Sequence, residues 1–187
     1  MRTLRILITA LILLCLPFTV GAAESEISFY GAIDVMALDS LWRQHLSLRC
    51  SVGAMIADGI GVEFPASCIF DQSGGDEILL DFALKLLVHP WGHGPFIALS
   101  LTQLILFTGA HVPQEPIHYL NEIAFGYTWE FSSGWFVRPS LIYREPSDGA
   151  PESFAYVSTL VPTRKRLQLC VDVLWVFASI RPDVDRG

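Results

Sequence analysis

The chain has 187 residues, with 12 basic and 19 acidic side chains, and 52% of its residues are hydrophobic. The net charge of −7 excludes the basic surface that binds nucleic acid, and the length predicts one domain. The mean hydropathy of +0.46 is high for a soluble domain. Yet no stretch after residue 22 reaches the roughly 18 uninterrupted apolar residues of a membrane-spanning helix. The apolar residues therefore face lipid from strands or fill an unusually rich soluble core.

The start of the chain has the pattern of a secretory signal peptide. Arg2 and Arg5 precede an uncharged apolar stretch over 6–20, and the small residue Ala22 offers a cleavage site. Removal of residues 1–22 takes away two of the 12 basic residues, which leaves 10 basic and 19 acidic side chains and a net charge of −9. We therefore expect an exported protein.

After the signal peptide, the chain divides into nine strand-like runs, each near the 9–11 residues of a tilted strand that crosses a bilayer. The runs cover residues 27–38, 45–57, 60–70, 77–89, 95–109, 118–131, 135–144, 153–161 and 166–177. Turn residues such as Asp58-Gly59 separate them. Single-chain bacterial barrels have an even number of strands. We therefore expect eight strands: either 27–38 is a periplasmic segment outside the barrel, or 45–64 forms one long strand.

The run from 121 to 144 shows the periodicity of a strand most clearly. Apolar and aromatic residues, such as Phe125 and Tyr127, occupy one parity, whereas small and charged residues occupy the other. A period of two places these sets on opposite faces. A soluble barrel buries the apolar face, whereas a membrane barrel turns it to lipid and keeps the charged face inside. We favour an all-β fold, a closed antiparallel transmembrane β-barrel over 23–177, with a C-terminal tail over 178–187.

The charged residues support a membrane barrel, because each lies on the parity opposite to its apolar neighbours. A charge on the lipid face near the midplane costs on the order of 2–4 kcal/mol, so a barrel must keep its charges in register inside. We predict that the lumen is lined by Asp81, Lys85, Glu122, Glu130, Arg138 and Arg144. The polar residue Gln103 is an exception, because it shares a parity with the apolar Leu101 and Ile105. Alternation alone assigns no inward face to its run.

Three cysteines remain after the signal peptide: Cys50, Cys68 and Cys170. An odd number on an exported chain means that at least one thiol is free or forms an intermolecular bond. Cys50 and Cys68 lie at nearly equal distances on either side of Asp58-Gly59, so a hairpin turn there makes them a candidate disulfide. We favour the alternative that both are small apolar residues on an outward or core face.

No pattern in the sequence predicts a catalytic or metal site. The chain has no Gly-x-Ser-x-Gly elbow, and no strand face carries neighbouring His and Ser residues. We therefore expect no enzymatic activity, no cofactor and no bound metal.

The final run alternates from Leu169 to Phe177 and ends in an aromatic residue. This resembles the C-terminal signal by which bacterial outer-membrane proteins are recognised for barrel insertion, although ten residues follow the aromatic one. With the patterns over 121–130 and 136–141, the chain is most similar to spirochaetal relatives of the outer-membrane protein W family. The resemblance implies a passive role, such as a narrow channel for small hydrophobic molecules. It also implies outer-membrane lipid and the barrel-insertion machinery as partners.

The leading hypothesis is an integral outer-membrane barrel that acts as a narrow channel or carrier for small or hydrophobic molecules. One alternative is a soluble periplasmic, lipocalin-like barrel that binds an apolar ligand, with its aromatic residues inside and Arg138 and Arg144 in water. Another is a closed barrel that anchors the surface or presents loops without transport. The direction of the two strand faces separates the soluble barrel from the membrane barrels.

Overall fold

The computed structural model describes residues 26–42, 45–57, 59–71, 78–108, 121–145 and 166–180. Within these residues eight strands pair antiparallel in chain order, and the first also pairs with the last, so the sheet closes into a barrel. The strands are β1 (Ile27–Asp34), β2 (His45–Ala57), β3 (Ile60–Asp71), β4 (Ile78–Val88), β5 (Gly94–Thr108), β6 (Asn121–Ser132), β7 (Trp135–Glu145) and β8 (Leu167–Ile180). A 3-10 helix, η1 (Val35–Trp42), lies between β1 and β2. The predicted closed antiparallel barrel of about eight strands is confirmed.

The antiparallel order gives the barrel two different rims. At the short-turn rim, β1 begins, β8 ends, and tight connections join β2 to β3, β4 to β5 and β6 to β7. Gly59, Gly92 and Gly134 have φ of 81°, 76° and 75°, which glycine adopts without a steric penalty, and this permits the tight turns. The longer connections and η1 join the strands at the opposite end, the long-loop rim. No helix in the described part of the chain is long and apolar enough to cross a membrane.

The structure corrects both expectations about how nine runs reduce to eight strands. Residues 27–34 belong to the barrel as β1, since they pair with both β2 and β8. The stretch 45–64 is not one strand, because the chain turns at Gly59 and the two halves pair with each other. The predicted run over 153–161 lies outside the described residues.

β8 extends further than the alternation predicted. Its last three residues, Ala178, Ser179 and Ile180, pair with Phe29, Ser28 and Ile27 of β1. The start of the segment assigned to a C-terminal tail therefore completes the closure of the barrel at the short-turn rim. The predicted signal peptide over 1–22 lies outside the described residues.

A bulge in β5 explains the run to which alternation assigned no inward face. Two consecutive residues of β4 pair with Ser100 and Thr102, so Leu101 is an extra residue in the ladder. The parity reverses at this point. Ser100 is buried on the inward face before the bulge, and Gln103, 2% exposed, is buried on the inward face after it. The exception at Gln103 therefore arises from one inserted residue.

The strands separate an apolar outward face from a polar inward face. Outward side chains remain exposed, among them Val52 (56%), Phe64 (52%) and Leu169 (56%). Every charged side chain within the described strands, apart from those at strand ends, lies on the inward parity. Arg138 and Arg144 are buried inside. This orientation is opposite to the one that a soluble, lipocalin-like barrel requires, so that alternative is wrong.

Apolar side chains share the interior with the charged ones. One buried cluster comprises Leu87, Phe96, Ala98, Ala124, Ile142 and Cys170. A second comprises Tyr30, Ala32 and Leu174, with Met55, Phe136 and Val176 packed against it. Barrels of eight strands have interiors that side chains can fill, and the inward side chains of this barrel do so.

Candidate functional site

The carboxylate of Glu122 on β6 is the centre of one buried group in the barrel interior, the Glu122 cluster. Lys85 Nζ from β4 contacts its Oε1, and Arg144 Nε from β7 donates to its Oε2 at 2.6 Å. Arg144 Nη1 also donates to Oε1 of Gln168 on β8 at 2.6 Å. The three charged side chains are at most 6% exposed. Such burial requires pairing, because an isolated charge in a low-dielectric interior is strongly disfavoured.

The guanidinium of Arg138 on β7 is the centre of a second group, the Arg138 cluster. Its Nη1 lies 2.6 Å from Oε2 of Glu63, and its Nη2 lies 3.1 Å from Oδ2 of Asp172. The hydroxyl of Tyr30 donates to Glu63 Oε2 at 2.9 Å. The guanidinium also faces the rings of Tyr30 and Phe96 at 5.9 and 5.5 Å, within the range of cation–π attraction. Side chains from five strands therefore meet across the interior at one guanidinium.

Two further contacts complete the polar interior. Arg49 Nη1 donates to Cys170 Sγ at 3.3 Å and lies 4.0 Å from Asp34 Oδ2. Gln103 Nε2 donates to Asp81 Oδ1 at 2.8 Å. In the described interior, five carboxylates and four cations take part in these contacts: Asp34, Glu63, Asp81, Glu122 and Asp172 with Arg49, Lys85, Arg138 and Arg144. The interior is thus nearly neutral.

Two inward glycines provide the room for large side chains. A Cβ at Gly53 would overlap the ring of Tyr30, and a Cβ at Gly126 would overlap the ring of Phe96 and the carbonyl oxygen of Pro139. The aromatic rings of the Arg138 cluster therefore lie directly over backbone. Glycine is required at these two inward positions because the aromatic side chains fill the adjacent part of the lumen.

Five of the six predicted lumen residues lie in contacts inside the barrel; they are Asp81, Lys85, Glu122, Arg138 and Arg144. Glu130 does not join them. It has inward parity but is exposed near the short-turn rim, where its Oε1 accepts a hydrogen bond from the backbone N of Gly134 at 3.3 Å. Glu130 lies two residues before the end of β6, so its side chain reaches the open mouth.

Tyr30, Glu63 and Asp172 were not among the predicted lumen residues. Glu63 and Asp172 carry the same signal as the chosen residues, since each is a charge on the parity opposite to apolar neighbours. Tyr30 carries almost none, because an aromatic residue in a membrane barrel is expected on the lipid face. The one indication that Tyr30 faces inward is that it lies on the same parity of β1 as the charged Asp34. Its role also requires the pairing of β1 with β2, which sets Tyr30 opposite Gly53.

Cys50 and Cys68 are free thiols, so the candidate disulfide is not formed. Cys50 pairs with Ala66, and Cys68 pairs with Leu48. The two cysteines are therefore diagonal neighbours, two residues out of register. A register shift in β2 next to the turn, together with the tight turn itself, sets this offset, which counting from Asp58-Gly59 did not reveal.

His89 lies in the turn after β4, at the short-turn rim. Its imidazole is buried, with its ring centroid 5.5 Å from that of Phe96. Within the described residues, its Nδ1 has no hydrogen-bond partner. Its backbone N donates to the carbonyl oxygen of Gly59 at 2.6 Å. Burial, together with the positive charge of Arg138, lowers the pKa of His89 below its ordinary value.

Two solved barrels are similar to this chain. The N-terminal β-barrel domain of OprF from Pseudomonas aeruginosa has a TM-score of 0.49 and 10% identity, over 82% of this chain and 98% of that one. The outer membrane protein OprG from Pseudomonas aeruginosa has a TM-score of 0.42 and 12% identity, over 87% of this chain and 94% of that one. No protein-family model matches the chain, and no curated protein matches it significantly. At these TM-scores the likeness adds nothing to what the strand pairing of this chain shows.

Proposed function

We propose that this protein is an integral β-barrel of a bacterial outer membrane, exported through its signal peptide, with a narrow and normally closed passage for small molecules. The outward face carries the membrane part of the proposal. Its strands present exposed apolar side chains around the whole barrel, and the charges of the described strands lie inside or at strand ends. An apolar surface of that extent is rare on a soluble monomer, whereas lipid requires it.

Aromatic residues at the short-turn rim support a membrane location further. Tyr127, Trp129, Trp135 and Phe177 are 51%, 66%, 46% and 59% exposed on the outward face of neighbouring strands. Aromatic side chains are enriched at the boundary between hydrocarbon and headgroups, because the rings are apolar while the polar atoms of Tyr and Trp can be hydrated there. The short-turn rim therefore suits one membrane interface. Outer-membrane lipid and the barrel-insertion machinery are the proposed partners.

The ion-paired interior supports a closed resting state. A solute that crosses the barrel must pass the Glu122 cluster and the Arg138 cluster, which span the lumen from different strands. Paired charges can exchange partners without leaving a charge unpaired, so they form a barrier that opens at moderate free energy. The passage would admit small molecules only. A distant relationship to spirochaetal members of the outer-membrane protein W family, and their passive role, belongs to the same proposal.

Planar-bilayer recording of the refolded protein tests the passage. We expect rare, small openings in the wild type, and openings at least about tenfold more frequent in Glu122→Gln, because Lys85 and Arg144 lose their shared carboxylate. Glu130→Gln is the matched control on the same strand and parity, and it should behave as the wild type. Each variant is first shown to run differently on a denaturing gel with and without boiling, which establishes a closed barrel.

A closed barrel without transport is the second candidate, and the pairing of most described lumen charges with opposite charges favours it. It predicts no conductance in any of these variants while the heat-dependent gel shift is intact. Solubility without detergent and an unchanged gel mobility would refute the membrane location itself.

A further inference from the structure

β1 is shorter than the strands on either side of it. It has 8 residues, whereas β2 has 13 and β8 has 14. Its pairing ends at Ile33 with Cys50 and at Asp34 with Asp172. The parts of β2 and β8 nearest the long-loop rim therefore have no β1 ladder between them. The 3-10 helix η1 contacts both strands and occupies that part of the wall.

Side-chain hydrogen bonds hold η1 to the strand before it and to the strand after it in the chain. The Asp34 carboxylate, at the end of β1, accepts a hydrogen bond from the backbone N of Met36 in η1 at 2.9 Å. The Ser40 hydroxyl accepts from the backbone N of Ser47 on β2 at 2.8 Å, and its Oγ lies 3.0 Å from the carbonyl oxygen of Ser47. A backbone amide of η1 is thus satisfied from β1, and a backbone amide of β2 is satisfied from η1. Hydrocarbon imposes this requirement on irregular backbone, because it offers no water to bind.

Three large apolar side chains are exposed among the described side chains of η1. Met36, Leu38 and Leu41 are 46%, 40% and 48% exposed. Leu48 on β2 and Leu169 on β8, which flank η1, are 45% and 56% exposed on the outward face. The Ser40 to Ser47 contacts place η1 at the height of β2 where Leu48 lies. The apolar surface of the helix is therefore continuous with the apolar belt of the barrel.

We propose that η1 is a membrane-embedded part of the barrel wall whose exposed face binds lipid acyl chains in the leaflet at the long-loop rim. The inference rests on the proposed membrane location and adds to it a non-strand segment within the hydrocarbon layer. Asp34 and Ser40 act as positioning residues, since their hydrogen bonds hold the segment to the end of β1 and to β2. A position above the membrane in water is the opposing arrangement, and it would leave three large apolar side chains wet.

Collision accessibility of a nitroxide tests the location. Single-cysteine variants Leu38→Cys, Leu48→Cys and Glu130→Cys are made with Cys50, Cys68 and Cys170 replaced by Ala, spin-labelled, and reconstituted into phosphatidylcholine vesicles. Molecular oxygen concentrates in hydrocarbon, whereas a nickel chelate stays in water. We expect the label at residue 38 to match residue 48, with high oxygen and low nickel collision, and residue 130 to show the reverse.

The three labels separate failure of this inference from failure of the membrane location. If residue 48 reports lipid and residue 38 reports water, η1 lies above the membrane and the inference is wrong, while the membrane barrel stands. If residues 38 and 48 both report water, the membrane location is wrong, and the inference fails with it. The heat-dependent gel shift of each labelled variant confirms that it has folded.

Hydrogen exchange tests the fastening. Ser40→Ala removes the acceptor for the Ser47 amide, so that amide should exchange at least about fivefold faster, as expected for loss of one intramolecular hydrogen bond. The Ser51 amide, on the same strand but beside the intact β1 ladder, is the internal control and should not change. Equal rates at Ser47 in the variant and the wild type would overturn the role of Ser40.

Discussion

Replacement of Glu122 by Gln should strongly destabilise the barrel. The side chain is 2% exposed and is shared between Lys85 Nζ and Arg144 Nε, so the neutral amide leaves two buried cations without their carboxylate. Breaking a buried ion pair by removing one partner costs about 3–5 kcal/mol, a large part of the 5–15 kcal/mol that a typical protein has. The free energy of unfolding is measured by urea titration in lipid vesicles, with tryptophan fluorescence as the probe.

Two further variants make the Glu122 prediction refutable. Glu130→Gln changes the same residue type on the same strand and parity, but at an exposed position, so its loss should stay within about 0.5 kcal/mol. Adding Lys85→Met to Glu122→Gln removes one of the two cations that lack a carboxylate. The double variant should therefore regain part of the lost free energy of unfolding, with a coupling free energy between the two sites of about 0.5–3 kcal/mol. Equal effects of the two Gln variants would mean that water fills the lumen and that the buried ion pairs do not form.

Three more perturbations probe the outward face, the packing and the turn. Val52→Arg on the exposed outward face should cost about 2–4 kcal/mol in vesicles, whereas a surface in water would tolerate it, so a loss below about 0.5 kcal/mol would contradict a lipid contact. Gly53→Ala should cost about 1–3 kcal/mol by the same titration, because its Cβ meets the Tyr30 ring, and no loss would mean that the ring lies elsewhere. Burial lowers the pKa of His89, so the unfolded chain takes up its proton first, and the free energy of unfolding should fall as the pH drops below about 6.5. His89→Asn should weaken this dependence, and His93→Asn in the same turn is its control.

The alternation of apolar and polar residues predicted most of the strands and many of the inward charged residues. It could do so because each charged residue must lie on the inward face of its own strand. A strand at a lipid interface has no tolerance for a charge on the outer parity, so in a membrane barrel the charged parity is the inner one. Lys85, Glu122, Arg138 and Arg144 could be chosen on this basis. Parity alone did not separate Glu130 from them, but its place one residue before the end of the predicted run over 118–131 was a signal that it lies near a mouth of the barrel.

The remaining features depend on register, which alternation does not contain. Leu101 is apolar and fits either face, so nothing in the sequence marks it as the inserted residue of a bulge. The offset between Cys50 and Cys68 depends in the same way on how the hairpin closes. Both features arise from the pairing of strands, and a shift of one residue in that pairing reverses a face or separates a pair.

The sequence alone indicated a barrel of amphipathic strands, because a side-chain period of two is a local property. The tertiary structure decided which face points outward, the number of strands, the replacement of the long-loop end of β1 by η1, and the partners of each charge. Glu122 and Arg144 lie on one hairpin, but Lys85 reaches them from another, and Arg138 gathers Tyr30, Glu63 and Asp172 from three separate strands. Closure of the sheet brings these side chains together, and a linear pattern holds no information about which strands face each other across a lumen.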